Sequence, residues 1–95
     1  MPCVTLIIPV YNAQRYLRRC LDSVVKQEFM DMEVLLLNDG SRDGSLKICR
    51  EYEAEDMRFH VIDKENTGVS DTRNVGMRLA SGKYLQFMKS EAKRS

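Results

Sequence analysis

Four short apolar runs alternate with three longer amphipathic segments along this chain, and that alternation constrains the fold more than any other feature of the sequence. In chain order, the apolar runs are VTLIIPV, MEVLLLN, RFHVID and KYLQFM. Strands joined through helices run parallel, with right-handed crossovers. Strands that are apolar along nearly their whole length are typical of a sheet covered by helices on both faces. The sequence therefore predicts an α/β protein, a Rossmann-like three-layer sandwich with a mostly parallel sheet of about four strands.

The segments between the runs repeat their apolar residues every three or four positions, which is the spacing of a helix with one buried stripe. The three helices are expected over residues 13–27, over residues 45–55 and, after a loop, within residues 66–81. Asn12 is expected to cap the first helix, and Gly82 to end the third. Asp43 or Ser45 is expected to satisfy free N–H groups at the start of the second helix.

The composition fits one small soluble domain and excludes several classes of protein. The chain has 95 residues, of which 43% are hydrophobic and 31% charged, and this balance argues against disorder. Its net charge of +1 favours neither nucleic acid nor an anionic membrane surface as a partner. No apolar run approaches the ~20 residues of a membrane span, and none resembles a signal peptide. We therefore expect a cytoplasmic domain, with a position at the inner face of the membrane as the alternative.

The cysteines and the single histidine do not form a recognisable reactive site. Cys3, Cys20 and Cys49 are widely spaced, and His60 is the only histidine. Zinc sites use closely paired ligands, and disulfides are rare in reducing compartments. We expect reduced and mostly buried thiols, a structural histidine and no covalent catalysis, because no base accompanies a candidate nucleophile.

Polar residues gather at the ends of the first three apolar runs, in the segments 9–12, 38–41 and 65–68. The carboxyl ends of parallel strands share one rim of the sheet, which is where open α/β sheets hold ligands. The first segment lacks G-x-G-x-x-G, and the chain has no G-x-x-x-x-G-K-[ST], so neither a dinucleotide fingerprint nor a P-loop is present. The acidic pattern of a receiver domain is also poorly matched. The rim is expected to bind a ligand by other means.

Three rim residues suit a nucleotide. The ring of Tyr11 offers a stacking face, and such stacking contributes ~1–3 kcal/mol per base in single-strand systems. Asp39 could accept an N–H from the edge of a base, and Arg73 could contact base oxygens or phosphate. Each residue also has an ordinary structural interpretation. Asp-Gly pairs suit tight turns, an aromatic residue can simply line a rim, and an arginine on a helix can simply be solvated.

Three motifs resemble the nucleotide-binding half of the family 2 glycosyltransferases, which have the GT-A fold. They are P-x-Y-N after the first strand, N-D-G-S-x-D-G-S after the second, and N-x-G-x-x-x-x-R-N-x-G before the fourth. They occur in the order and at the spacing of that family. The resemblance implies a truncated GT-A domain over residues 1–88, with a polar tail over residues 89–95.

The resemblance also implies a nucleotide-sugar donor of the UDP or dTDP type. Tyr11 would stack on the base, Asp39 would accept the imide N–H of the base, and Arg73 would contact the base or the diphosphate. Gly68 would let the backbone pass close to the donor. The floor of the pocket would be shaped by Pro9, Val10 and Asn12.

The sequence departs from the family pattern after the fourth strand. There the family carries a D-x-D motif whose carboxylates hold Mg²⁺ or Mn²⁺ against the diphosphate. This chain reads FMKSEAKRS, which puts Lys89 at the first Asp position and Glu91 at the second. Glu91 is the one candidate oxygen ligand, and a single carboxylate holds such an ion poorly. The metal expected for the family is therefore doubtful here.

The family's acceptor-binding half and its general base would follow, so the acceptor is unknown and no turnover is expected from these 95 residues alone. One alternative is a non-catalytic remnant that binds nucleotide weakly or serves for association. Another is a Rossmann-like domain of different function. The fourth strand is also expected to leave an unpaired edge, which predicts a homo-oligomer through residues 84–88.

Overall fold

The computed structural model describes residues 2–89, and its helices and strands follow the predicted order. The elements are β1 (Val4–Val10), α1 (Gln14–Val25), β2 (Met32–Asp39), α2 (Ser45–Glu55), β3 (Phe59–Lys64), α3 (Val69–Leu79) and β4 (Tyr84–Phe87). The predicted α/β fold is confirmed. The first strand and the second helix have the predicted bounds. The first helix and the other three strands differ from their predicted bounds by at most two residues at either end, and the third helix begins later in its segment.

All four strands are parallel, in the order β3-β2-β1-β4. The first two crossover connections place β2 beside β1 and then β3 beside β2. The third crosses back over β2 and β1, so that β4 pairs with the opposite edge of β1. Crossovers of one hand that step in opposite directions place their helices on opposite faces of the sheet. The helices α1 and α2 accordingly cover one face, and α3 covers the other.

The two central strands, β1 and β2, are apolar along most of their length because alternate residues enter two different cores. In β2, Val34 and Leu36 pack in the larger core with α1 and α2. Leu35 and Leu37 pack in the smaller core on the α3 side. Helix α3 approaches the sheet closely at Gly76, where an added Cβ would lie 2.6 Å from a methyl group of Ile7. The third motif therefore contributes to helix packing as well as to the rim.

Two predicted helix ends are wrong. Asn12 does not cap α1, because its side-chain oxygen accepts a hydrogen bond of 2.8 Å from the N–H of Arg42 in the next loop. Gly82 does not end α3, which stops at Leu79 and continues in extended backbone at Ala80. The glycine is needed for a different reason, since a Cβ there would lie 2.7 Å from the backbone nitrogen of Thr5.

A buried arginine closes the end of the domain opposite the rim. The guanidinium of Arg58 donates two hydrogen bonds to Asp56, at 3.0 and 2.7 Å. It also donates to the carbonyl groups of Val25, Gln27 and Phe29 at 3.3, 2.9 and 3.0 Å. These five bonds equal the number of N–H donors in a guanidinium. Arg58 therefore fixes the chain as it leaves α1, a role that sequence patterns did not indicate.

The cysteine prediction is confirmed, since all three are free thiols and two of them, Cys20 and Cys49, are buried. Burial raises the pKa of Cys20 to about 11 and that of Cys49 to about 12, so both stay protonated. His60 lies exposed on β3. Within residues 2–89, no helix has the length and apolarity that crossing a membrane requires.

Candidate functional site

The first two rim loops are joined into one unit by hydrogen bonds. The N–H of Asn12 donates to Ser41 Oγ at 3.0 Å, while Asn12 Oδ1 accepts from the N–H of Arg42. Asn12 has a φ of 46°, a left-handed conformation that asparagine tolerates better than most residues. This conformation turns the chain sharply after Tyr11. Asn12 thus shapes the rim through its backbone and its link to the second loop.

The second acid of the Asp-Gly loop organises the starts of two helices. Asp43 Oδ1 accepts from the N–H of Ser45 at 2.9 Å, and Oδ2 accepts from the N–H of Gln14 at 3.1 Å. Burial favours the neutral form, but the bonds from Ser45 and Gln14 outweigh it and lower the pKa of Asp43. The predicted structural role of Asp43 is confirmed at α2 and extends to α1. A carboxylate is favoured at both places because each helix start is electropositive.

The first acid of the same loop, Asp39, ends β2 and is buried, with only 3% of the residue exposed. Its Oδ1 accepts from Lys64 Nζ at 2.7 Å and from the N–H of Thr67 at 2.9 Å. Its Oδ2 accepts from the N–H of Gly68 at 3.1 Å. Burial alone would raise the pKa of Asp39, but the bonds from Lys64 and Thr67 outweigh it and lower the pKa below its usual value. Asp39 is therefore held as a carboxylate.

Lys64 is the rim residue that sequence reasoning missed. It is the last residue of β3 and stands beside Asp39 in the parallel register. Besides Asp39, its ammonium contacts Thr67 Oγ1 at 2.6 Å, the carbonyl of Glu65 at 2.7 Å and Thr72 Oγ1 at 3.2 Å. The signal that could have revealed it is its position at the end of the third apolar run, one strand away from an acid at the end of the second.

The other predicted nucleotide contacts occupy different environments. Val10 pairs with Asn38 in the β1–β2 register, so the residues that follow the pair are Tyr11 and Asp39. Tyr11 is 50% exposed and leaves much of its ring open to a ligand. Pro9 is half-buried, whereas Val10 is fully buried in the larger core. The side chain of Val10 supports the rim from beneath and has no exposed surface for a ligand.

Gly68 and Arg73 flank the start of α3. Gly68 has a φ of 98°, and an added Cβ would meet no atom within 4 Å, so the space beside it is open. The guanidinium of Arg73 lies 5.9 Å from the centroid of the Phe87 ring. Its Nε is buried and has no hydrogen-bond partner among residues 2–89. Arg73 thus packs on Phe87 of β4, and its Nε is still able to donate a hydrogen bond.

The positions that correspond to the family's D-x-D motif lie only partly within the described residues. Lys89 is exposed just after β4, and Glu91 lies outside the described residues. Among the residues that the structure describes, no three or more His, Cys, Asp or Glu side chains come together as ion ligands. These residues do not fit a divalent metal centre, so we derive no step through one.

Comparisons with known proteins agree on one family. The sequence model of Glycosyl transferase family 2 matches residues 5–90. Glycosyltransferase GlyA of Streptococcus pneumoniae is 44% identical over 88 residues, covering 93% of this chain and 13% of GlyA. The uncharacterized glycosyltransferase EpsJ of Bacillus subtilis is 39% identical over 88 residues, covering 93% of this chain and 26% of EpsJ. The chain therefore spans only a minor part of the length of these relatives.

Solved structures give the same fold. Residues 1–349 of TarS from S. aureus superpose with a TM-score of 0.86 at 30% identity, over 94% of this chain and 27% of that one. The same protein has been solved in complex with UDP. The mannosyltransferase PcManGT of Pyrobaculum calidifontis, solved with GDP-Man and Mn²⁺, also has a TM-score of 0.86, at 24% identity over 95% of this chain and 28% of that one. At that identity, the second likeness concerns the fold alone.

Proposed function

This chain belongs to glycosyl transferase family 2, and from that premise we propose that its rim binds the nucleotide of a UDP- or dTDP-type sugar donor for glycosyl transfer. One observation carries the proposal: Asp39 is held as a carboxylate at the end of β2, and the half-exposed Tyr11 follows the neighbouring strand at the same level of the register. The UDP complex of TarS, which is 30% identical to this chain, supports the choice of nucleotide.

The two side chains divide the recognition of a base between them. Tyr11 supplies an apolar face on which the base stacks, an interaction that tolerates any base. Asp39 supplies a charged acceptor for a ring N–H, and uracil and thymine carry one such imide donor. A hydrogen bond to a charged group is about twice as strong as a neutral one. The imide bond therefore orients a base that stacking alone would leave free to rotate.

The space beside Gly68 suits the remainder of the donor. A backbone without a side chain permits close approach, a Cβ added to Gly68 would meet no atom within 4 Å, and the N–H of Gly68 donates to Asp39 Oδ2. Arg73, on the first turns of α3, has a buried Nε without a hydrogen-bond partner within residues 2–89 and a permanent positive charge. We propose that it contacts either a base oxygen or the diphosphate.

We propose that the 95-residue chain binds nucleotide without transferring sugar, and that its acceptor is recognised by other parts of a longer enzyme. This rests on the lack of an ion-ligand cluster within residues 2–89 and on Lys89 in the metal register. Metal-dependent transfer to an acceptor by the purified chain would contradict it. The free, buried thiols support a reducing compartment, and we propose the cytoplasm or the inner face of its membrane as the location.

Replacing Asp39 by Ala is expected to weaken UDP binding by about 1.5–3 kcal/mol, the range for a hydrogen bond to a charged group. Isothermal titration measures the loss, and thermal melting checks that the variant is folded. UDP methylated at N3 of uracil, which lacks the imide donor, serves as the matched ligand control. It should bind the unaltered chain about as weakly as UDP binds the variant. Equal UDP affinity in both proteins would remove Asp39 from the site.

We also propose that the outer edge of β4 pairs with a second copy of the chain. Within residues 2–89, β4 is an edge strand of the sheet, and Tyr84, Leu85 and Phe87 are 64%, 42% and 46% exposed. The N–H of Tyr84 donates to the carbonyl of Cys3, just before β1, and that of Met88 donates to Ile7 in β1, so the alternating N–H groups of Leu85 and Phe87 point outward. Unpaired edges of this kind readily find a partner strand.

Pairing of two β4 edges should give a homodimer whose fraction, measured by light scattering, rises with protein concentration. Leu85→Pro removes an outward N–H but none of the bonds to β1, and it is expected to shift the chain toward monomer. A monomer at every concentration, with rapid amide exchange at Leu85 and Phe87, would rule the dimer out.

A further inference from the structure

We propose that the end of the domain opposite the rim is a docking site for a basic amphipathic helix of a partner protein. The site is a methionine patch, formed by Met30, Met32 and Met57, with carboxyl groups around it. It lies away from the rim. The inference therefore goes beyond the proposed nucleotide-binding function and does not depend on it.

The methionine patch is exposed, and the packing of the domain does not account for it. Met57 is 82% exposed and Met30 is 59% exposed, and neither belongs to the two cores. Both side chains line a groove of about 580 Å³ beside the end of α2 and another of about 450 Å³ beside the start of β2, so the two grooves meet at them. Met32 is half-buried and lines the second groove. Adjoining apolar side chains bordered by polar groups are typical of interaction sites.

The backbone that carries the two exposed methionines is fixed in advance. Arg58 donates to the carbonyl of Phe29, the residue before Met30, at 3.0 Å. The N–H of Phe59 donates to the carbonyl of Asp56 at 3.0 Å and closes the turn that contains Met57. Only the side chains remain to be ordered by a partner, which lowers the entropic cost of binding. Methionine side chains are flexible and polarizable, so they adapt to the apolar groups of a partner.

The charge around the methionine patch favours a cationic partner. The described residues that line the two grooves include five acids and one arginine, namely Asp31, Glu33, Glu53, Glu55, Asp56 and Arg58. The arginine is already paired with Asp56. Because the whole chain has a net charge of +1, this excess of negative charge is local. It attracts lysine and arginine, and it repels nucleic acid and anionic lipid.

The surrounding backbone favours a helix over an added strand. Strand addition needs an open sheet edge. The nearest edge is that of β3, where the N–H of Val61 already donates to Glu53 Oε2 at 2.8 Å. A helix satisfies its own backbone groups and binds through side chains alone. Its apolar residues, three and four positions apart, would lie on the methionines, and flanking lysines or arginines would reach the carboxyl groups.

The test uses a synthetic peptide of about 14 residues, with leucine at helical spacing and lysine elsewhere. Fluorescence anisotropy measures its binding to the 95-residue chain. The double variant Met30→Gln with Met57→Gln keeps the side-chain volumes nearly constant but makes both anchors polar, and it is expected to weaken binding on the order of tenfold or more. Met77→Gln makes the same change at a methionine that is 42% exposed on α3. This control should bind like the unaltered chain.

Two further measurements test the charge and the identity of the occupant. A peptide with glutamate in place of lysine should bind far more weakly, and added salt should weaken the lysine peptide. Light scattering compares the association of the unaltered chain and the double variant. A shift of the double variant toward monomer would assign the methionine patch to a second copy of the chain and overturn the inference.

The inference is also overturned if the lysine peptide does not bind, if the glutamate peptide binds equally well, or if the double variant keeps full affinity. Thermal melting checks the fold of each variant, and Met57→Gln alone replaces the double variant if the latter unfolds. UDP should not displace the peptide, because the methionine patch lies at the opposite end of the domain from the rim. Failure of the chain to bind UDP would overturn the proposed function and leave this inference standing.

Discussion

Replacing Arg58 by Met is expected to destabilise the domain by about 3–5 kcal/mol, the usual cost of removing one partner from a buried ion pair. Small domains have a total stability of only about 5–15 kcal/mol, so the variant should be close to unfolding at room temperature. The side chain of Arg58 is 4% exposed and that of Asp56 is 14% exposed. Methionine fills much of the same volume but leaves the three carbonyl groups at and after the end of α1 without their donors, and leaves the Asp56 carboxylate with only the backbone N–H of residue 58.

Urea unfolding of the variant and of a matched control measures this effect. Arg18→Met removes an arginine from an ion pair of 2.8 Å with Glu51, but both of those side chains are largely exposed. Exposed pairs contribute little, because water and salt screen them and the side chains lose entropy in forming them. The control should therefore unfold almost like the unaltered chain. Similar losses in the two variants would mean that the burial of Arg58 is not the cause.

The stability of the protein at acid pH should also depend on the ion pair between Arg58 and Asp56. The hydrogen bonds from Arg58 outweigh burial and lower the pKa of Asp56 below its usual value. A carboxyl with a lowered folded-state pKa stabilises the protein above its unfolded-state pKa, and that stability is lost as the pH falls through the folded-state pKa. The unaltered chain is therefore expected to lose this contribution in acid. Arg58→Met keeps only the bond from the backbone N–H of residue 58 to Asp56 and should therefore show a weaker dependence of stability on acid pH.

Replacing Gly40 by Ala is expected to cost about 2–4 kcal/mol, because strain and a steric clash act together. Gly40 has a φ of 71°, where residues with a Cβ are strained. The added Cβ would also lie 2.7 Å from the backbone nitrogen of Asn66 and 2.8 Å from its Cβ. The loop over residues 65–68 would have to shift. That loop supplies the N–H groups that hold Asp39, so UDP binding should weaken along with stability.

The second glycine of the same loop provides the control. Gly44 has an ordinary negative φ of −81°, and a Cβ there would meet only the flexible end of the Gln14 side chain. Gly44→Ala should therefore cost much less than Gly40→Ala in urea unfolding and should leave the loop over residues 65–68 in place. Equal losses at the two positions would show that the contact with Asn66 does not determine the effect.

The sequence by itself determined the elements, the parallel sheet and the rim on which polar residues gather. These follow from patterns that extend over a few residues, such as helical spacing, apolar runs and Asp-Gly turns. The motifs also pointed to the family, because two of them combine a strand end with the turn after it and the third combines a loop with the start of a helix. Residues close together in the sequence determine such features, so the sequence alone is enough to predict them.

The tertiary structure alone decided which partners the polar side chains have. Lys64 reaches Asp39 across 25 positions of the chain, and Asp43 bonds to Gln14 across 29. Arg58 bonds to carbonyl groups about 30 positions away, and the side chain of Asn12 turns to Arg42 instead of capping its own helix. Such bonds depend on strand order and register, which bring distant segments side by side. A buried polar group takes whichever partner the assembled sheet places within reach, and no local pattern specifies that choice.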